Sequence, residues 1–458
     1  MNNLLTKTAL AALLLFQPWA AACVERQGSQ WVDIWGSMPQ LVEPANLPLP
    51  PYNATGVVFQ NATLRQTIFI TQSAPKIRLV ISNAFGGSDL PITAATIAVP
   101  LNGSAGTSAI APGSLSRVFF SDGLSNFTIP NGARAMSDPI DYPVTAQQVL
   151  TISLYLETGQ TTNSITGHPG SRTTSYYSPG DQTASGDVLS DPATQQSEHW
   201  YFISAVEGHF PPSTSPSPRS LVIIGDSITD GRGSTTNLNN RWPDALLRRL
   251  QAPDSSTIPT PLHRAIAVTN QAAGGNRVLA DGLGPSALSR VDRDILAHPG
   301  VSYVLVFEGV NDIGVAPADA VSQAAVGDRL VAAYGQIIGM VHARGIPVFG
   351  GTITPFSEKE EDDDDNNKSS SGSVQPYSHP NREATRQRVN GWIRGSGRFD
   401  GVVDFDAAVK DPTNGSVLNP LYDSGDYLHL NPDGYVAMAG AVDLGLFEKF
   451  RNGVIEDM

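Results

Sequence analysis

Cysteine is almost missing from this sequence. Cys23 is the only one in 458 residues, so a single chain can form no internal disulfide and no multi-thiolate metal site. Cationic residues are scarce as well. Lys and Arg number 29 against 43 Asp and Glu, and 29 − 43 = −14 argues against sequence-independent binding to nucleic acid or anionic lipid. Beyond the first residues no apolar run approaches the roughly 18 that a membrane-spanning helix requires. No His-Glu-x-x-His or comparable ligand cluster is present, so neither a metal nor another cofactor is expected. Charged residues make up only 16% of the chain against 40% hydrophobic, the reverse of a disordered composition.

Glycine and proline are plentiful, at 43 and 34, and suit strands joined by many loops. At about 150 residues per domain the length points to two or three domains. Residues 1–22 carry Lys7, an apolar run over 9–16, and Ala20-Ala21-Ala22 ahead of Cys23, the layout of a secretory signal peptide. A soluble, secreted, extracellular protein is therefore expected, with a buried N-terminal helix as the plainer alternative. Lipid attachment at Cys23 is a further alternative, although the usual Leu three residues earlier is absent. Six sequons begin at Asn53, Asn61, Asn102, Asn126, Asn367 and Asn414. They are compatible with a glycoprotein, though several would arise by chance.

Short strands are expected over 63–71, 76–85, 92–100, 116–121, 148–157 and 198–206, separated by Gly, Pro, Asn and Ser. The alternation in Leu150-Thr-Ile-Ser-Leu-Tyr-Leu fits half-buried antiparallel strands, and predicts a β-sandwich or jelly-roll-like domain over 31–210. Residues 211–219 then read as a Pro/Ser linker. From 220 to 453 the rhythm becomes strand then helix. Strands are expected at 220–225, 265–272, 301–308, 346–352 and 401–405, with helices at 243–250, 286–297, 318–344, 381–395 and 432–450. The runs Leu221-Val-Ile-Ile and Tyr303-Val-Leu-Val-Phe suit strands covered on both faces in a parallel α/β sheet. The acidic stretch at 358–373 reads as a solvated loop, since nothing spaces its carboxylates around a calcium ion.

Reactive groups gather at the C-terminal ends of parallel strands. The first strand runs out in Gly225-Asp-Ser227, where Ser227 is either a nucleophile or a helix-capping serine. A nucleophilic serine needs a base. Of eight histidines only His429 has an acid three residues before it, Asp426, and that spacing can fold the carboxylate back onto the ring. A surface histidine beside a cap is the bland reading. Two further strand ends offer donors for a tetrahedral oxyanion. Asn270-Gln-Ala-Ala-Gly-Gly-Asn-Arg277 exposes glycine N–H groups, and Glu308-Gly-Val-Asn-Asp312 presents the Asn311 amide; each alone is an ordinary glycine turn.

Together and in this order, Gly225-Asp-Ser227, Gly275, Gly309-Val-Asn311 and Asp426…His429 resemble the four motif blocks of the GDSL/SGNH hydrolase superfamily, over residues 220–450. The resemblance implies a three-layer α/β/α flavodoxin-like domain. It implies Ser227 as nucleophile, His429 as base and Asp426 as its orienting acid, with Ser227 N–H, Gly275 N–H and the Asn311 side chain as oxyanion hole. Gly275 is preferred to Gly274 because it lies five residues after Asn270. The Gly-x-Ser-x-Gly elbow of α/β-hydrolases is absent. Asn240-Arg-Trp-Pro-Asp244, Gly275-Asn-Arg-Val-Leu279 and Arg290-Val-Asp-Arg-Asp294, with Trp31…Trp35, Thr63-Leu-Arg-Gln66 and Ser82-Asn-Ala-Phe-Gly86 before them, resemble its secreted two-domain, xylan-esterase-like branch. That branch implies a serine esterase removing short acyl groups, chiefly acetyl, from polysaccharides, with acetylated glycan as partner and neither nucleic acid nor membrane. Asn276, Arg277 and Trp242 are candidate substrate contacts by motif position, with a structural role for Trp242 in helix entry equally open. A lipase or phospholipid acylhydrolase, and a non-catalytic carbohydrate-binding protein, are the alternatives.

Overall fold

The computed structural model describes residues 30–252, 260–358 and 375–454. The expected signal peptide, Cys23, the sequon at Asn367 and all but Glu358 of the acidic stretch lie outside the described residues.

The N-terminal half is built mainly from two antiparallel sheets around one core, with a three-stranded and a two-stranded antiparallel sheet beside them. Four strands run in the order Gln30–Gly36, Ile203–Phe210, Lys76–Ser82, Arg134–Met136, and six in the order Gln195–Ser197, Ser175–Pro179, Ala62–Phe69, Val149–Leu156, Ala94–Ala98, Ser116–Val118. Val32, Ile34, Ile77 and Leu79 from the first sheet share a core with Leu64, Ile68, Leu150, Ile152 and Leu154 from the second. The alternation in 150–156 fixes which face turns inward. The outer face is buried too, contrary to the half-exposed strands expected. Arg65 lies across that face, donating to Ser153 Oγ at 3.1 Å and to the carbonyls of Ser108, Gln182 and Ser185 at 2.8–3.0 Å, so loops cover it.

The C-terminal half is a five-stranded parallel sheet: β1 (Arg219–Gly225), β2 (Ile266–Ala272), β3 (Val301–Phe307), β4 (Val348–Gly351) and β5 (Gly401–Val403), in the order 2-1-3-4-5. This is the flavodoxin-like order, whose switch point lies between β1 and β3. Leu221, Val222, Ile223 and Ile224 are all fully buried, so both faces of β1 are covered. The main helices are α1 (Ser227–Asp230), α2 (Trp242–Leu250), α3 (Val310–Val315), α4 (Ala320–His342), α5 (Pro380–Gly395) and α6 (Pro432–Ala441). Two expected helices differ. Residues 286–297 form a 3₁₀ turn, Ala287–Arg290, followed by a π turn, Asp292–Leu296, because Arg290 is drawn inward to the carbonyl of Gln271 and to Asp294. The last helix breaks after Ala441 and resumes at Gly445, where the Asp443 side chain accepts from Gly445 N–H.

The two halves share polar contacts at their junction. Gln30 donates to Ser217 Oγ and the Pro218 carbonyl, fastening the Pro/Ser segment. Asp33 N–H donates to the Pro299 carbonyl, and Val268 N–H to Thr71 Oγ1. His168 is buried there too, 3% exposed, with Nδ1 3.0 Å from the Met38 carbonyl and Nε2 2.9 Å from Asp230 Oδ1. Asp230 is the last residue of α1, so a side chain of the β-sheet half braces the short helix that begins with Ser227. His168→Ala would leave the buried Asp230 Oδ1 without this partner, and a buried hydrogen-bonding group left unsatisfied costs about 1–3 kcal/mol. The expected outcome is a single denaturant-unfolding transition at a lower midpoint by both tryptophan fluorescence and circular dichroism. An unchanged midpoint would show that the brace carries no stability.

Candidate active site

β1 must leave a sheet that is closed on both faces, and it does so through Gly225. A Cβ at that position would stand 2.5 Å from Thr229 Oγ1, so the strand end and α1 approach at a distance only glycine permits. Asp226 then caps α1, its Oδ1 accepting from Ile228 N–H at 2.9 Å. Gly231, at φ +97, ends the helix after four residues. Ser227 therefore occupies the first helical position, where the backbone N–H has no acceptor within the helix. Its side chain is 7% exposed.

His429 comes from the loop preceding α6, and that loop is ordered around two carboxylates, Asp423 and Asp426. Asp426 Oδ1 accepts from Leu428 N–H at 3.1 Å and His429 N–H at 2.8 Å, while Oδ2 faces His429 Nδ1 at 2.6 Å. Asp423 accepts from Gly425 and Tyr427 N–H, holding Tyr427 at φ +58, a conformation costly for a residue with a Cβ. Asn431 caps α6, with Pro432 at its first position. Because Oδ2 of the ionised carboxylate can only accept, the imidazole proton is assigned to Nδ1, and Nε2 is left to accept from Ser227 Oγ at 2.8 Å.

Burial is the leading influence on His429 and pulls its pKa down; the bond and charge of Asp426 oppose this, and the Arg232 and Arg172 charges add to it. For Asp426 burial acts upward, but the hydrogen bonds and charge of His429 and the Leu428 N–H outweigh it, and the carboxyl is held well below its ordinary range. Both shifts favour a neutral imidazole beside an ionised acid.

The other two motif loops meet at the end of β1. Ala273 N–H donates to the Gly225 carbonyl at 3.1 Å, joining the turn after β2 to the end of β1. Gly275 follows at φ +68, where a Cβ would also meet Leu283 at 2.8 Å. Gly309, at φ +117, opens α3; a Cβ there would lie 2.6 Å from the Tyr334 hydroxyl. Asn311 Nδ2 donates to the Asn276 carbonyl at 2.9 Å, and Asp312 accepts from Val278 and Leu279 N–H at 2.8 and 2.9 Å, clamping the two loops together. Three buried acids lie beneath. Burial pushes Asp226 up to about 7, raises Asp312 against the two N–H groups that grip it, and raises Glu308 well above the usual carboxylate range. Arg290 is buried with Glu308 and Asp294 and also donates to Asn276 Oδ1 at 2.8 Å.

Ser227, His429 and Asp426 thus come together, and the loops that carry Gly275 and Asn311 are tied to each other and, through Ala273, to the end of β1. The other candidates do not share this placement. Trp242 is fully buried, packed at 5.0 Å from the Phe405 ring, with Nε1 donating to Thr229 Oγ1: it supports α1 from behind and does not line a substrate path. Asn276 is 1% exposed and its amide is committed to the Pro285 carbonyl and to Arg290, so its side chain is structural as well. Arg277 is partly exposed and folds back on the Asp281 carbonyl. Tyr377 and Gln375 were not reached by sequence reasoning. The Tyr377 hydroxyl donates to Asn311 Oδ1 at 3.1 Å, and Gln375 Nε2 donates to the Asp426 carbonyl at 3.0 Å. Both lie just past the acidic stretch, outside every motif block.

Residues 223–437 match the model of the GDSL-like Lipase/Acylhydrolase family. Similar solved structures include a GDSL-like lipase from Bacteroides thetaiotaomicron, 15% identical over 50% of this chain and 89% of that one, TM-score 0.34. A carbohydrate acetylesterase from Sinorhizobium meliloti is 14% identical over 49% and 95%, TM-score 0.34. A catalytic mutant of an acetylxylan esterase from Geobacillus stearothermophilus is 19% identical over 49% and 92%, TM-score 0.34. No curated protein sequence is significantly similar to this chain. Residues 223–437 thus carry a GDSL-like lipase/acylhydrolase family-model domain, with the parallel sheet and the motif loops at its strand ends in place.

Proposed function

We propose that this protein is a secreted serine esterase that removes short acyl groups, chiefly acetyl, from polysaccharides through an acyl-enzyme. The observation that carries the chemistry is the continuous relay Ser227 Oγ, His429 Nε2, His429 Nδ1, Asp426 Oδ2, at 2.8 and 2.6 Å. His429 takes the hydroxyl proton as Ser227 Oγ attacks the ester carbonyl. The negative charge on the tetrahedral oxygen is met by Ser227 N–H, Gly275 N–H and the second Nδ2 hydrogen of Asn311. His429 returns the proton to the leaving sugar oxygen, and a water activated by the same nitrogen then releases the acid from Ser227. Support for acetylated glycan as substrate is the motif resemblance, and export is supported by the composition of residues 1–22.

Ser227→Ala is expected to lose at least about 10⁴-fold in kcat on a short synthetic ester. Asp426→Asn should lose on the order of 10³–10⁴-fold, because the proton then need not reside on Nδ1. Acetate release from acetylated xylan, other acetylated glycans and long-chain esters, measured side by side, tests the substrate class. Preference for long acyl chains would move the reading to a lipase. Equal release by wild type and Ser227→Ala, or none by either, would leave glycan binding as the better account.

The working form of His429 is neutral, and its pKa is lowered. Activity should therefore be full at neutral pH and fall only as pH drops through that lowered value. The expected kcat/KM profile has one acid limb with its midpoint below about 6.5, the ordinary imidazole value. A midpoint above it would contradict the buried, neutral base.

A further inference from the structure

We infer that Tyr377 is a positioning residue for the oxyanion donor Asn311, carried by a short strap that also holds the backbone of Asp426. This rests on Ser227, His429 and Asp426 forming the reacting set. The Asn311 amide has one allowed orientation. The Asn276 carbonyl at 2.9 Å can only accept, so the NH₂ group faces it, and Oδ1 faces the Tyr377 hydroxyl at 3.1 Å, which must then donate. One Nδ2 hydrogen is taken by Asn276. The other is left for the substrate oxygen.

The phenol fixes that remaining hydrogen in two ways. Anchoring Oδ1 prevents the amide from turning as charge develops, and donation into the amide carbonyl draws electron density from nitrogen, making the N–H a stronger donor. Burial raises the Tyr377 pKa, which keeps the phenol protonated and donating across the working range. The ring is held as firmly as the hydroxyl. It meets Phe356 edge-on at 6.4 Å, and it covers Gly314 so closely that a Cβ there would lie 2.3 Å from a ring carbon. Gly314 is on α3, the same helix that carries Asn311.

The strap is continuous with the other side of the site. Tyr377 N–H donates to Gln375 Oε1 at 2.9 Å, and Gln375 Nε2 donates to the Asp426 carbonyl at 3.0 Å. Glu358 N–H donates to Ser378 Oγ at 3.1 Å, and the Glu358 carboxylate accepts from Gln375 N–H. Residues 375–378 therefore touch the oxyanion donor with one side chain and the residue that orients the base with another.

The test uses the full chain and steady-state hydrolysis of 4-nitrophenyl acetate by wild type, Ser227→Ala, Asn311→Ala, Tyr377→Phe and the Tyr377→Phe, Asn311→Ala double variant, with thermal unfolding of each. Tyr377→Phe keeps the ring and removes only the donor. It should lower kcat about tenfold with KM and melting temperature nearly unchanged, less than the roughly 100–1,000-fold expected for Asn311→Ala. In the double variant the phenol should add no further loss, since it acts through Asn311. Wild-type kcat in Tyr377→Phe, a change confined to KM, or a loss that multiplies with that of Asn311→Ala would overturn the inference. Should Tyr377→Phe lower the melting temperature, 3-fluorotyrosine at 377 keeps the shape and sharpens the donor, and an unchanged kcat would overturn it equally. An active Ser227→Ala would instead remove the underlying mechanism, so the two failures are distinct.

Discussion

The Asp426 carboxylate accepts hydrogen bonds from Leu428 N–H, His429 N–H and His429 Nδ1, and the placement of the His429 ring against Ser227 is referred to it. Three donors on one ionised acid, all from within three residues, turn a loop into a rigid bracket for the imidazole. The bracket alone would be useless without a fixed partner. That partner is supplied by β1, a strand buried on both faces, which leaves the Ser227 position little freedom. The Ser227–His429 pair therefore joins a locally braced loop to a strand covered on both faces, 202 residues apart in sequence.

Beneath that pair the structure accepts an unfavourable arrangement. Asp226, Glu308 and Asp312 are all buried, and the Asp312 charge helps to raise Asp226 while the charges of Asp226 and Asp312 help to raise Glu308. Arg290 offsets part of this, and the Val278 and Leu279 N–H groups hold Asp312. Strain of this kind is characteristic of sites where loop geometry matters more than stability. Here the same groups that are uncomfortable as charges are the ones that clamp the motif loops together.

Much of the fold was legible because its signals are local. Leu221-Val-Ile-Ile and Tyr303-Val-Leu-Val-Phe announce doubly covered strands, and Gly225, Gly275 and Gly309 stand where a Cβ would collide. Asp426 and His429 were legible as a pair because three residues span their contact. Side-chain direction was not. Trp242 and Asn276 sit in motif blocks beside the site, yet each turns its polar group into the protein, and no spacing rule reveals that. Tyr377 was invisible for another reason: its partner is 66 residues away, and nothing periodic marks either position. The irregular 287–296 segment escaped because its helical pattern is overridden by the inward pull on Arg290.

The contact of His168 with Asp230 bears on how such a chain can change over generations. A β-sheet region that merely adjoined the hydrolase half could be exchanged for another, as beads on a string are exchanged. This one places a histidine against the helix that begins with Ser227, at a junction where both partners are buried. Any replacement would have to bring an equivalent partner for Asp230 to the same point. The short helix after β1 therefore depends on a residue from outside the half that contains it, and a cut at the Pro/Ser segment would separate the two.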